Sequence, residues 1–343
     1  MALKEKKVKL TIEAARDLVV NVMTAVGHNM LEANEIADHL IDCELRGLSF
    51  GGLPRALSVV ERIRSSGLSQ KQISVVRETP VSAALDGGDK VGYLVANRAT
   101  DIAIEKARAN GLAMVGAKET WYTGMFSYYL ERVTAQGFAG LIAGSGLPLV
   151  APHGGSKAHF GTNPIAFGFP TTDGPIIVDI GTAGLMLGEA VLKERLGEAL
   201  PAGLAFDKDG RPTQDAGEAL KGAFAVWGGH KGSGLALTVQ LLGMMCGAEA
   251  APVGLRDCGF FVLVMDPGVL TSRDDFRARA SDFADTLRST RPLNPNYPVR
   301  VHFDRSRAER SRRLAEGHIE VEESIFVALA DIRDGGQQLV AQT

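Results

Sequence analysis

Cysteine is scarce in this chain of 343 residues: only Cys43, Cys246 and Cys258 occur, an odd number without metal-type spacing. That argues against a disulfide framework and a cysteine metal site, and it fits buried thiols in a reducing cytoplasm. An excess of positive charge is also missing, since 37 Lys and Arg stand against 40 Asp and Glu for a net charge of −3. Without a global basic field, neither nucleic acid nor an anionic membrane surface is an expected partner. Long apolar runs are absent too. The longest, Gly234 to Ala248, is interrupted by Thr238 and Gln240, and it falls short of the roughly 20 residues that a bilayer span needs. Met1 to Lys7 leads into mixed, helix-like sequence with no apolar h-region, so no secretory signal is expected.

What remains is the composition of a globular protein, 45% hydrophobic and 22% charged, long enough for about two ordinary domains. Leu18, Val19, Val22 and Ala25 form a helical stripe that stops at Gly27-His28-Asn29, and Ala33, Ile36, Ala37, Leu40 and Ile41 form a second. Ala56, Leu57, Val60 and Ile63 mark a third, broken at Ser65-Ser66-Gly67, so the first 70 or so residues read as helical. From Ile73 onward short β-rich runs (73–76, 112–115, 138–143, 163–169, 176–180, 260–265) alternate with helical ones, which predicts a sheet with helices packed on it. Gly234 to Cys246 reads as a buried helix, and charge-laced helices fill 273–288, 306–316 and 322–332.

Several common chemistries lack their motifs. A Rossmann domain requires Gly-x-Gly-x-x-Gly after its first strand, and the nearest candidate, Gly144-Ser145-Gly146, runs into Leu147-Pro148-Leu149 without a third glycine. No His-x-x-x-His pair supports a metal, and no Gly-x-Ser-x-Gly elbow supports serine hydrolysis. A glycine cluster, Trp227-Gly228-Gly229-His230-Lys231-Gly232-Ser233-Gly234, precedes the apolar helix. Uncovered backbone N–H groups, the helix dipole and Lys231 would make a phosphate seat there, while a tight turn that lets helix and sheet approach explains the same glycines. Pro152-His153-Gly154-Gly155 and Gly161-Thr162-Asn163-Pro164 are explained by turn chemistry alone.

Taken in order, however, these segments resemble a known family. Val150-Ala151-Pro152-His153-Gly154-Gly155, Phe160 to Phe167, Val178-Asp179-Ile180-Gly181-Thr182, Asp207 to Thr213 and Gly228-Gly229-His230-Lys231-Gly232 are similar to the malate/L-lactate dehydrogenase family of the non-Rossmann type, which includes ureidoglycolate and sulfolactate dehydrogenases and diketogulonate and piperideine-2-carboxylate reductases. The resemblance implies an α/β fold with a helical N-terminal region and a central mixed sheet, in a homodimer using NADH or NADPH. It implies a helical part of a substrate and dimerisation domain over 1–115, a cofactor domain over 116–300, and C-terminal helices over 301–343 that pack back on the first. By the same resemblance, Thr123, Gly124, Met125 and Phe126, then Asp179, Ile180 and Gly181, and finally His230 and Lys231 hold the cofactor. Arg55 would clamp the carboxylate of a small substrate, which suits a guanidinium, and Thr162 would touch the substrate. A solvated helix arginine is the alternative for Arg55.

The departures carry information of their own. Relatives place Ser-His-Gly after the second helix, where this chain has Phe50-Gly51-Gly52, or Ser49-Phe50-Gly51 with a slip of one residue. A second family histidine falls on Tyr122, a basic residue on Leu187 and a lysine on Glu189. Loss of a general acid costs on the order of 10²- to 10⁴-fold in rate. A ketone suffers most, because its reduction develops an alkoxide that must be protonated; an iminium carbon yields a neutral amine without an acid. The expected activity is therefore NAD(P)H-dependent reduction of a small 2-imino acid or 2-oxo acid, with Tyr122 or Ser49 as the remaining catalytic candidates. The alternatives are packing for Tyr122 and, for the chain, a binding protein or non-redox enzyme that has lost hydride transfer.

Overall fold

The computed structural model describes residues 6–336. The chain opens with a short strand, β1 (Lys7–Thr11), and three helices, α1 (Ile12–Ala25), α2 (Met30–Leu45) and α3 (Leu53–Ser66). Their starts are chemically defined. The Thr11 hydroxyl accepts from the Ala14 N–H and the Asn29 side chain from the Glu32 N–H, and Pro54 sits in the first turn of α3. A hairpin follows, β2 (Ser74–Thr79) with β3 (Ser82–Val91), then α4 (Gly92–Asn110), β4 (Leu112–Trp121), α5 (Phe126–Ala135), β5 (Ala139–Gly144), β6 (Ile165–Phe169) and β7 (Ile176–Ile180). Small elements come next: α6 (Leu187–Arg195), β8 (Ala205–Phe206), α7 (Ala216–Lys221) and β9 (Ala223–Phe224). The rest is α8 (His230–Met245), β10 (Phe260–Met265), α9 (Arg273–Arg288), α10 (Asp304–Glu316), β11 (His318–Glu322) and α11 (Glu323–Arg333).

Seven strands form one sheet in the order β2-β3-β4-β10-β5-β6-β7. Only β3 and β4 pair in parallel, joined by the α4 crossover, so the sheet is mixed. Alternation along β10 shows how it is covered: Phe260, Val262 and Val264 join the core under α4 and α5, while Phe261 packs with Val239 of α8 on the other face. A separate core gathers α1, α2, α3 and α11 with the β1–β11 ribbon, and a smaller one holds the α6–α7 segment together. The boundary expected between residues 115 and 116 falls inside β4.

Two expectations need correction. The first 70 residues are not all helical, because Lys7–Thr11 pairs antiparallel with His318–Glu322, more than 300 residues away in sequence. And α8 is a helix but not a buried one: Leu237, Leu241, Met244 and Met245 are exposed, while only its opposite side, with Ala236, Val239 and Gln240, is buried.

Candidate active site

A cavity of about 280 Å³ lies where the turn after α2, the start of α3, the loop between β4 and α5, and the start of α6 converge. Its walls include Arg55, Tyr122, Thr123, Gly124, Met125, Thr162, Asp179 and Gly181. Eight of the positions singled out from sequence thus come together from four separate stretches of chain. The remaining five do not reach it. Ser49 sits in the 3₁₀ turn Ser49–Gly51, whose Phe50 and Gly51 do line the cavity. Phe126 is wholly buried and packs edge-on against Phe260, and Ile180 is partly buried beside the α8 core. His230 and Lys231 stand exposed at the start of α8. There a Cβ at Gly232 would collide with the Trp227 carbonyl, so the turn itself requires that glycine.

Arg55 is the most unusual side chain in the cavity. Only 9% exposed, it has a buried Nη1 with no hydrogen-bond partner. A buried polar group without a partner is uncommon, and a buried cation without one more so. The guanidinium carbon lies 4.4 Å from the centre of the Tyr122 ring, a cation–π contact that supports the charge without using its N–H donors. Tyr122 itself holds φ at +52°, a left-handed conformation rare for an aromatic residue. On the far side Gly188 is essential for space, since a Cβ there would strike Arg55 Nη2. The helix that carries Arg55 is anchored at its start by Glu44, whose Oε1 accepts the Leu53 N–H at 2.8 Å. Burial pushes the Glu44 carboxyl up to about 7.

Sequence reading gave no role to His39, yet it holds the Thr123–Met125 loop. Its Nε2 accepts the Met125 N–H at 2.9 Å, so the proton of the neutral ring belongs on Nδ1, which has no partner. The ring is fully buried, 4.5 Å from Tyr93 in a stacked arrangement and 4.7 Å from Tyr128. Burial pushes its pKa down to about 3, which keeps it a neutral acceptor. Gly124, at φ +77°, passes so close that a Cβ would overlap His39 Nε2. Tyr129 completes the support by donating its hydroxyl to the Thr123 carbonyl at 2.9 Å. No sequence spacing connects residues 39 and 125; they meet only because α2 crosses beneath the loop.

Two further groups order the walls. Asp179 Oδ2 accepts the Ser127 N–H at 2.8 Å, capping α5 from across the sheet; burial raises its carboxyl pKa, and the Ser127 and Phe126 N–H groups oppose that. Asn163, at φ +39°, donates through Nδ2 to the Ala236 carbonyl and to Gln240 Oε1, at 2.8 and 2.9 Å, and so ties the Thr162 loop to α8. The Asn-Pro pair that turn chemistry explains is thus also an anchor. Among the described residues no cluster of His, Cys, Asp or Glu could hold a metal ion.

The sequence model of the malate/L-lactate dehydrogenases matches residues 10–330, and the chain belongs to this family. L-sulfolactate dehydrogenase of Methanothermobacter thermautotrophicus is 30% identical over 334 residues, covering 94% of this chain and 96% of that one. Delta(1)-pyrroline-2-carboxylate reductase 1 of Burkholderia ambifaria is 29% identical over 91% of this chain and 94% of its own. Among solved structures, a dehydrogenase from Sinorhizobium meliloti superposes with a TM-score of 0.89 at 29% identity, over 96% of this chain and 99% of the other. The chain is an oxidoreductase of this family, with the mixed α/β architecture that the resemblance implied.

Proposed function

We propose that this protein is an NAD(P)H-dependent reductase of a small 2-imino acid, with 2-oxo acids as poorer substrates. The observation that carries the reading is the buried Arg55 guanidinium in the cavity wall, whose Nη1 has no hydrogen-bond partner. A carboxylate would supply the missing acceptor, and two parallel N–H···O contacts would fix the adjacent C=N or C=O carbon. Thr162, on the same wall, would orient the remainder of the substrate.

The cofactor supplies a hydride. Gly124, Gly144 and Gly181 present bare backbone on the cavity wall against which a flat ring would lie, their Cβ positions being taken up by His39, Phe126 and Met186 respectively. Thr123 and Asp179 would offer polar contacts beside it. His230 and Lys231, outside the cavity, would serve only the phosphate end of an extended dinucleotide. A cavity of about 280 Å³ is at the small end of ligand pockets, which suits the reacting groups and leaves most of a dinucleotide in open groove.

The preference for an imine rests on proton supply. No histidine lines the cavity, and His39 is committed to the Met125 N–H. Tyr122 remains as a hydroxyl near the substrate, whereas Ser49 would need the 3₁₀ turn to move. Three unpaired thiols suit the cytoplasm. The exposed apolar stripe of α8 supports a homodimer.

Loss of NAD(P)H absorbance with cyclic 2-imino acids and 2-oxo acids tests this directly. Imine reduction at least tenfold faster than ketone reduction is expected. Binding of NADH or NADPH, seen by nicotinamide fluorescence, without turnover of any of these acids would favour the second reading, a binding or non-redox protein, which the same absence of an imidazole supports.

A further inference from the structure

We infer that the cavity is built for substrates with one acid group on an apolar body and rejects those with two; the inference rests on Arg55 being the carboxylate site. The charge count of the walls carries it. Among the described residues that line the cavity, Arg55 is the one cationic side chain and Asp179 the one carboxylate. The next guanidinium nearby, Arg195 on α6, is already committed: it donates to the Pro54 carbonyl at 2.9 Å, to Ser58 Oγ and to Glu61 Oε2 at 2.6 Å. Arg62 is likewise held by both oxygens of Asp89. His230 and Lys231 lie outside the walls.

The surface around Arg55 is largely apolar and otherwise uncharged. Cys43, Phe50, Met186, Leu187 and Leu255 line it, and both nearby thiols, Cys43 and Cys258, are kept protonated by burial. One carboxylate finds Arg55; a second acid on a small substrate would face these side chains, the neutral hydroxyls of Thr123, Ser145 and Thr162, or the Asp179 carboxyl, and no second cation. An acid group stripped of water without a cation is strongly disfavoured, whereas a methylene ring or short alkyl chain gains from the same walls. Oxaloacetate-like and sulfonated substrates are therefore excluded by charge, and proline-like or alkyl mono-acids are admitted.

Calorimetric titration of the full chain tests this without needing turnover. Pyrrole-2-carboxylate, a planar mono-acid, is compared with L-malate and sulfoacetate, each carrying two acid groups. The mono-acid is expected to bind roughly 100-fold more tightly, and Arg55→Met to abolish its binding with the circular dichroism unchanged. A preference under tenfold, a reversed preference, or no binding by the mono-acid overturns the inference. Leu187→Arg places a second cation in the wall and is expected to shift the preference at least tenfold toward the di-acids; an unchanged ratio in a folded variant also counts against it. The two readings separate cleanly. Mono-acid binding without reduction by NADH or NADPH leaves the charge argument standing and removes the reductase, while brisk reduction of oxaloacetate keeps the reductase and removes the charge argument.

Discussion

Replacing Arg55 by methionine keeps an unbranched stem and deletes the guanidinium and its charge. Truncating one partner of a buried charge pair costs about 2–5 kcal/mol, so kcat/KM for an acid substrate is expected to fall at least 30-fold, chiefly through KM. Steady-state kinetics with near-native thermal stability is the check, and an unchanged KM would dissociate Arg55 from substrate binding. Glu44 gives a prediction of a different kind. Its folded-state pKa of about 7 exceeds the ordinary 4.5, so the native state keeps a proton that the unfolded chain has released. Stability from this group is full below pH 4.5, declines as pH rises from 4.5 to 7, and stays low above 7. Glu44→Gln retains an acceptor for the Leu53 N–H and removes the buried charge. It is expected to raise stability at pH 8, by on the order of 2–3 kcal/mol, and to change it little at pH 4.5, as read by urea unfolding at both pH values. Arg55 was legible in the sequence because a family motif and carboxylate chemistry both point to it. Glu44 and His39 were not, since each acts through a single backbone N–H, of Leu53 and of Met125, that no residue pattern marks.

In the proposed function, the loop from Tyr122 to Met125 is the element that would hold the cofactor. Tyr122 at φ +52° and Gly124 at φ +77° give it a shape that His39, Tyr93 and Tyr129 hold from below. Gly124→Ala adds a methyl group both to a left-handed position and to the volume of the His39 ring. Nicotinamide fluorescence is expected to report at least tenfold weaker cofactor binding, and an unchanged titration would show that the loop is not part of that site. His39→Phe is milder: the ring stack survives, but the Met125 N–H loses its acceptor, a cost of about 1–3 kcal/mol that thermal melting should register. At this scale much of the fold could be read in advance. The stripes and caps of α1, α2 and α3 mark their limits to within a few residues. β1 and β3 escaped, one because its partner lies at the other end of the chain, the other because the Gly-Gly-Asp near its end resembles a turn. The α8 sequence, apolar all round, predicts full burial, yet a single chain covers only one side of it.

That uncovered side argues at the scale of the whole molecule. Leu237, Leu241, Met244 and Met245 recur at helical spacing and form one exposed strip. If a second copy covers it, Leu241→Lys combined with Met245→Glu should convert a dimer into a monomer in light-scattering measurements. A wild-type monomer, or a doubly substituted dimer, would place the interface elsewhere. The cavity lies away from this strip, on a wall shared between the helical N-terminal part and the sheet, so its residues were legible singly but their convergence was not.

The ribbon of Lys7–Thr11 with His318–Glu322 has a consequence for how the chain matures. Ile319, Val321, Ile325 and Leu329 complete the core beneath α1, α2 and α3, the same bundle that carries Arg55. A ribosome must therefore release nearly the whole polypeptide before the helix that carries Arg55 acquires its backing. Any premature stop upstream of residue 318 leaves that bundle open, however intact the seven-stranded sheet.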